Sequence, residues 1–287
     1  SFIFREPGEG RVSLSEIARS RVAKSREQFL CLVEKNIPIY GVTTGFGASV
    51  GRPISARRSE ELQNNLIRYL SCGTGPRLPR IAVRAAMVYR LNSLSRGYSG
   101  VSTALLERLE LFLARDWIPV VPREGSLGAS GDLIPLAYLA AALQGNGLLE
   151  TPQGEEKTEA VLARAGFAPY VLEAKEGLAL VNGTSAMAGL ALVNSQILSE
   201  LLSLATTATA WLALALESRV EAFGPVVNSQ AKNFAGQREV AEKIASLLAQ
   251  ESYAPPPLAP QGTASQKSPI QEKYSLRCEP HVLGPVA

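Results

Sequence analysis

SAMAGLALVNSQILSELLSLATTATAWLALALESRVEAF, residues Ser185 to Phe223, decides the fold. Its apolar residues fall on nearly every side of a helical projection, so it reads as one or two long helices. A helix that is apolar all round belongs inside a bundle rather than on a surface. The most continuous part, Leu201 to Leu216, is closed by Glu200 and Glu217 and carries Ser203, Thr206, Thr207 and Thr209. It is shorter than the roughly 20 residues that cross a bilayer, so a buried helix is expected and no membrane span.

Further helices flank this stretch. Ser13 to Glu34 places Leu14, Ile17, Ala18, Val22, Phe29, Leu30 and Val33 at mostly three- and four-residue steps, with Ser13 and Glu16 as a possible capping box. Glu60 to Leu70, Ile81 to Ser95, Val101 to Arg115, Asp132 to Gln144 and Lys232 to Gln250 read the same way, and Pro135 is tolerable in a first turn. Strand-like runs are short: Ile118 to Val121 and Val226 to Asn228. Thr151 to Glu159 is a polar surface excursion, and Tyr253 to Lys267, with PPPLAP, is an extended or mobile segment. The pattern is all-α, with Gly- and Pro-rich loops between helices, and loops on a rigid bundle are where sites gather.

Composition removes several chemistries. The single histidine, His281, cannot build a multi-histidine zinc site, and any Ser-His-Asp or Cys-His triad would have to run through it. Cys31, Cys72 and Cys278 lie at no metal-motif spacing, and their odd number argues against a disulfide framework. No structural metal and a reducing, cytoplasmic location are expected. Lys and Arg exceed Asp and Glu by 29 to 26, too small an excess to imply nucleic acid. No signal peptide is visible, and Ser1 at the start leaves room for an upstream region.

Four segments have chemical potential. Gly128-Ala129-Ser130-Gly131-Asp132 opens a helix, so Ser130 or Asp132 can serve as its N-cap. A phosphate loop is a second reading, but no lysine follows the glycines. In a third reading the Gly131 nitrogen attacks the Ala129 carbonyl. Loss of water from the ring and from Ser130 then leaves a conjugated methylidene, a strong electrophile beside a helix N-terminus. Tyr40 in YGVTTGFG is either an aromatic loop anchor or a phenolate base. A phenol titrates near 10, so a base would need positive charge or N–H donors nearby. Asn182-Gly183-Thr184 is a turn with Thr184 as N-cap, or a place where Asn182 orients a polar ligand. Arg277 in YSLR is a salt-bridge partner, or a planar fork for a carboxylate.

Together these segments resemble the methylidene-imidazolone-dependent amino-acid lyases, the histidine, phenylalanine and tyrosine ammonia-lyases and the aromatic 2,3-aminomutases. The resemblance rests on YGVTTGFG (Tyr40 to Gly47), LQNNLIRYL (Leu62 to Leu70), GSLGASGDLIPLAYLA (Gly125 to Ala140), KEGLALVNGTSAM (Lys175 to Met187) and QEKYSLRCEPHVLG (Gln271 to Gly284), in the family's order. It implies a long-helix bundle of the fumarase/aspartase-like superfamily with a Gly-rich N-terminal active-site region. It also implies a 4-methylidene-imidazole-5-one group (MIO) formed autocatalytically from Ala129, Ser130 and Gly131. Tyr40 would remove the substrate β-proton, Arg277 would bind the α-carboxylate, Asn182 would help hold the carboxylate and the group, and Tyr274 would line the site. Ammonia leaves and a cinnamate-type acid remains; an aminomutase returns the amine to the β-carbon.

Histidine-specific members carry a histidine after LQxNL and another in a PLAH segment. This chain has Tyr69-Leu70 and Leu136-Ala137-Tyr138, which disfavours histidine. Tyr69 and Leu70 occupy the place of the aromatic-Leu pair of phenylalanine enzymes. Tyr69 can rim a phenyl ring or meet a substrate phenol, with a core aromatic as the plain alternative. The expected substrate is therefore phenylalanine or tyrosine, in a homotetramer with sites shared between subunits. Residues 1–223 are expected to form the MIO-bearing domain with the first bundle helices, and 224–287 the start of a central helical region. Family members continue through a second half, so a fragment is expected.

Overall fold

The structure, a computed structural model, describes residues 12–129, 131–250 and 272–287. Ser130, Gln271 and the PPPLAP stretch lie outside them. Contacts divide the chain into two units, Ser1–Val193 and Asn194–Ala287. The sequence reading set its boundary after Phe223, which is buried in the second unit against Val240, Ile244 and Leu276.

The first unit is helical with two small sheets. Its helices are α1 (Glu16–Glu34), α2 (Ser59–Leu70), α3 (Arg80–Ser95), α4 (Thr103–Ala114), α5 (Leu133–Leu143), α6 (Thr158–Arg164), α7 (Glu176–Val181) and the start of α8 (Ser185–Ala215). Strand β1 (Thr74–Arg77) pairs antiparallel with β3 (Pro122–Glu124), while β2 (Ile118–Pro119), β4 (Leu148–Thr151) and β5 (Gly154–Lys157) form an antiparallel sheet in the order β2-β4-β5. The supposed polar excursion is thus largely a hairpin. Thr151 secures its turn, accepting from the Gln153 N–H at 3.1 Å and donating to the Gly154 carbonyl at 2.9 Å.

The helices begin where side chains satisfy free N–H groups. Ser15, not Ser13, caps α1 by accepting from the Ala18 N–H at 3.2 Å. Ser102 caps α4 by accepting from the Leu105 N–H at 3.2 Å, and donates its hydroxyl to Glu176 at 2.7 Å. That buried carboxylate also accepts from the Ser102 and Glu173 N–H groups and from the Tyr170 hydroxyl. Between these ends, Met87, Leu91 and Leu94 of α3 pack with Leu105, Leu109 and Phe112 of α4 and Leu136, Leu139 and Leu143 of α5.

The second unit holds most of α8, then α9 (Ala235–Gln250), α10 (Tyr274–Arg277) and α11 (Glu279–Leu283). Val226–Asn228, expected as a strand, lies in a π-helical turn, Val226–Gln230. The side-chain amide of Asn228 donates to the Ala222 and Gly224 carbonyls and so closes the chain into that turn.

Helix α8 departs from the expectation of burial. Leu198, Leu201, Leu204, Trp211 and Leu212 are exposed, while Val193, Thr206, Thr209, Ala210 and Ala213 are buried. The described residues leave that apolar side of the helix uncovered. The helical run Glu176–Ala215 is also long and apolar enough, by length and composition, to cross a membrane, unlike the shorter Leu201 to Leu216 segment. Thr206, Thr207 and Thr209 return their hydroxyls to carbonyls four residues back, at 2.7, 2.9 and 3.0 Å, which satisfies them without a partner helix.

Candidate active site

Helix α7 is the post on which two loops hang. The first loop contains Tyr40. Gln63 of α2, wholly buried, donates its amide to the Gly41 carbonyl at 2.9 Å and accepts from the Leu178 N–H at 2.9 Å. Ser59 adds a bond to the Val42 carbonyl at 2.9 Å. Within the loop, Thr44 accepts from the Gly41 N–H at 3.1 Å and Thr43 from the Ile39 N–H at 2.8 Å. Tyr40 is 47% exposed; its hydroxyl accepts from the Gly47 N–H at 2.9 Å, and its ring meets Phe46 edge-on at 6.1 Å. The loop-anchor reading fits this placement, and of the donors that the phenolate-base reading calls for the Gly47 N–H is in place.

Sequence reasoning missed Gln63. It lies inside LQNNLIRYL, but nothing local marks a glutamine as a bridge to a backbone more than a hundred residues away. Gln63→Leu is expected to leave the buried Gly41 carbonyl and the half-buried Leu178 N–H unpaired. At about 1–3 kcal/mol for each such group, the loss is on the order of 2–4 kcal/mol, read by urea denaturation. A loss below about 0.5 kcal/mol would mean that the loop is held by other contacts.

The second loop is Ala129 to Asp132. Ala129 is exposed and Gly131 is buried at φ +104°. A Cβ on Gly131 would stand 2.8 Å from the Gly183 nitrogen and 2.9 Å from its oxygen. The Asp132 N–H donates to the Gly183 carbonyl at 2.8 Å. The buried Asp132 carboxylate makes no side-chain capping bond to α5, the expected role. It accepts instead from the Met187 N–H at 2.8 Å, capping α8, and from the Ser126 hydroxyl at 3.3 Å. Asp132 thus joins the residue after Gly131 to Gly183 through its backbone N–H and to the first turn of α8 through its carboxylate. Ser130 itself lies outside the described residues.

That corner ends α7 and starts α8. Asn182 is exposed and caps α7, its N–H bonded to the Leu178 carbonyl at 2.9 Å. Tyr69 and Leu70 point to different surroundings. Tyr69 is 80% exposed, so it is not a core aromatic in this chain, whereas Leu70 is 6% exposed and packs in the first unit's core.

Tyr274 and Arg277 belong to the second unit. The Arg277 guanidinium lies 5.1 Å from the Tyr274 ring centroid, and its buried Nε has no hydrogen-bond partner among the described residues. It opens on a cavity of about 440 Å³ with Arg219, Lys232 and His281, opposite Glu221 and Glu272. Burial and the nearby Lys232 charge hold the His281 imidazole below its ordinary value. A planar guanidinium with unused donors in a cavity richer in cations than in carboxylates suits an anionic group.

The helical architecture is that of the ammonia-lyases and aminomutases. The tyrosine aminomutase from Streptomyces globisporus superposes with a TM-score of 0.86 at 33% identity, over 97% of this chain and 55% of that one. The Pantoea agglomerans phenylalanine aminomutase gives 0.85 at 32%, over 96% and 55%. Residues 3–287 match the aromatic amino acid lyase family, and the chain belongs to it. Among curated relatives, a probable histidine ammonia-lyase from Thermoplasma volcanium is 40% identical over 96% of this chain and 54% of its own length. A tyrosine ammonia-lyase from Cupriavidus metallidurans is 39% identical over 97% and 54%. The chain spans about half the length of the relatives it matches.

Proposed function

We propose that this chain carries the prosthetic-group half of an ammonia-lyase acting on phenylalanine or tyrosine and releasing a trans-cinnamate-type acid. The observation that carries the reading is the seat of Gly131, a backbone position with no room for a Cβ, in an Ala-Ser-Gly segment fastened by Asp132. A glycine nitrogen is the least hindered attacking group for ring closure, so these residues fit MIO. Once formed, MIO supplies an electrophile that turns the substrate amine into a leaving group.

The chain's own residues supply the rest. Tyr40 offers a half-exposed phenol to take the β-proton, which is weakly acidic and so requires a positioned base. Arg277 offers its fork to the α-carboxylate, Tyr274 lines its side of the site, and Asn182 serves the carboxylate and the group. Tyr69 provides an exposed ring for the aromatic side chain, with Leu70 anchoring it from the core. Overall identity does not sort substrates, since relatives named for histidine and tyrosine match about equally, at 40% and 39%. The choice of phenylalanine or tyrosine rests on Tyr69-Leu70 and Tyr138. The exposed apolar side of α8 supports a homotetramer with sites shared between subunits. We place the enzyme in the cytoplasm, away from membrane and nucleic acid.

A 2,3-aminomutase is the second reading, favoured by the likeness to the two aminomutase structures. Full-length protein given phenylalanine, tyrosine and histidine separately is expected to release unsaturated acid from one of the first two, followed by absorbance. Turnover of histidine alone would overturn the substrate reading, and β-phenylalanine or β-tyrosine on chiral chromatography would establish the mutase.

A further inference from the structure

Behind the Gly131–Gly183 contact stands an arginine to which the proposed reaction gives no role. Arg90 of α3 is 5% exposed and forms no salt bridge among the described residues. Its guanidinium donates instead to the Ala179 and Asn182 carbonyls, at the end of α7, and to the Ser185 hydroxyl at 3.4 Å, at the start of α8. Its buried Nε has no hydrogen-bond partner among the described residues. Burial pushes the guanidinium down to about 10, so it remains a cation at neutral pH. A buried cation without a carboxylate is costly unless its surroundings need it.

The packing identifies the need. A Cβ on Gly183 would collide with Arg90 Nη1, and a Cβ on Gly131 would collide with Gly183. Arg90, Gly183 and Gly131 are therefore stacked in direct succession. The first pins the second, and the second is the wall behind the third. A flexible wall would let the Ala-Ser-Gly segment relax into an extended turn.

We propose that Arg90 is a positioning residue for formation of the prosthetic group, holding the Gly183 wall against which Gly131 is seated for ring closure. This rests on the reading that the segment cyclises. In that step the Gly131 nitrogen bonds to the Ala129 carbonyl carbon, and the carbonyl oxygen leaves as water with the Gly131 and Ser130 amide protons. The Ser130 hydroxyl and α-proton leave as the second water, and no oxidant is required. Arg90 enters neither bond change; it acts through Gly183.

The test is the mass of the peptide spanning residues 129 to 131 in soluble, full-length protein, with thermal midpoints measured in parallel. Wild type is expected to lack two waters. Arg90→Met is expected to lower the ratio of dehydrated to undehydrated peptide, read at a fixed early time after synthesis, about fivefold or more, the effect of losing roughly 1 kcal/mol of clamp. Arg90→Lys, charged but without the fork, is expected to fall between the two. Arg84→Met removes another buried arginine of α3, paired at 3.2 Å with Asp116, and is expected to lose stability but remain dehydrated. Full dehydration in Arg90→Met would overturn the proposal. If that variant does not fold, full dehydration in Arg90→Lys would overturn it too, as would an equal deficit in Arg84→Met. A wild-type segment that keeps both waters would instead overturn the function reading on which the proposal rests.

Discussion

Gly131→Ala is expected to leave residues 129 to 131 with both waters and to reduce turnover to background. Two independent effects act at this position. The backbone sits at φ +104°, where an L side chain is strained by about 1–3 kcal/mol. The new methyl would also press on the nitrogen and oxygen of Gly183, backbone atoms that cannot rotate away as a side-chain tip could. Gly183 is itself crowded, since the Arg90 guanidinium occupies the space a Cβ on it would take. Overpacking in such a place costs about 1–3 kcal/mol, so a total destabilisation on the order of 2–6 kcal/mol is expected, a substantial part of the stability of a typical domain. The segment can escape only by swinging away from the wall, which is the movement that separates the attacking nitrogen from its carbonyl. Intact mass reads the waters and a urea titration reads the stability. A fully dehydrated, stable Gly131→Ala protein would show that neither the wall nor the unhindered nitrogen matters.

The longer helices were legible in the sequence, whereas the short α6, α7, α10 and α11 were not, because apolar spacing needs several turns to show. Helices α2, α3 and α5 begin and end within about a residue of the expected bounds. What escaped was set at a distance. Asp132 sits where it should cap the helix it precedes, and instead caps α8, whose first turn is more than fifty residues on. Gln63 and Arg90 bond to backbone groups of α7, which no local pattern announces. The β4–β5 hairpin was hidden because Gly154-Glu155-Glu156-Lys157 presents charged rather than alternating apolar residues. The candidate site residues come from the order of the five motifs, and a plain role was equally legible for one of them: Tyr40 anchors its loop through the Gly47 N–H. Helix α8 shows the opposite failure. Its all-round apolar pattern calls for burial, and the described residues leave Leu198, Leu201, Leu204, Trp211 and Leu212 exposed.

Tyr40→Phe separates the two roles of that residue. As an anchor, the hydroxyl contributes one hydrogen bond, from the Gly47 N–H, at a half-exposed position. Water can replace it there, so the stability change is expected to stay below about 1 kcal/mol. Phenylalanine retains the ring and with it the edge-on contact to Phe46, and Gln63 and Ser59 still hold the loop backbone. The prosthetic segment is fastened through Asp132 and Gly183, neither of which touches the phenol, so the loss of two waters is expected to be unchanged. As a base, the hydroxyl has no substitute in phenylalanine, and loss of a positioned base typically costs about 10²- to 10⁴-fold in rate. The expected outcome is therefore a folded, fully dehydrated protein whose kcat falls by roughly 10²-fold or more while KM changes little, because the phenol is needed in the transition state rather than for binding. A fall of less than about tenfold would assign proton removal to another group and leave Tyr40 as the loop anchor alone.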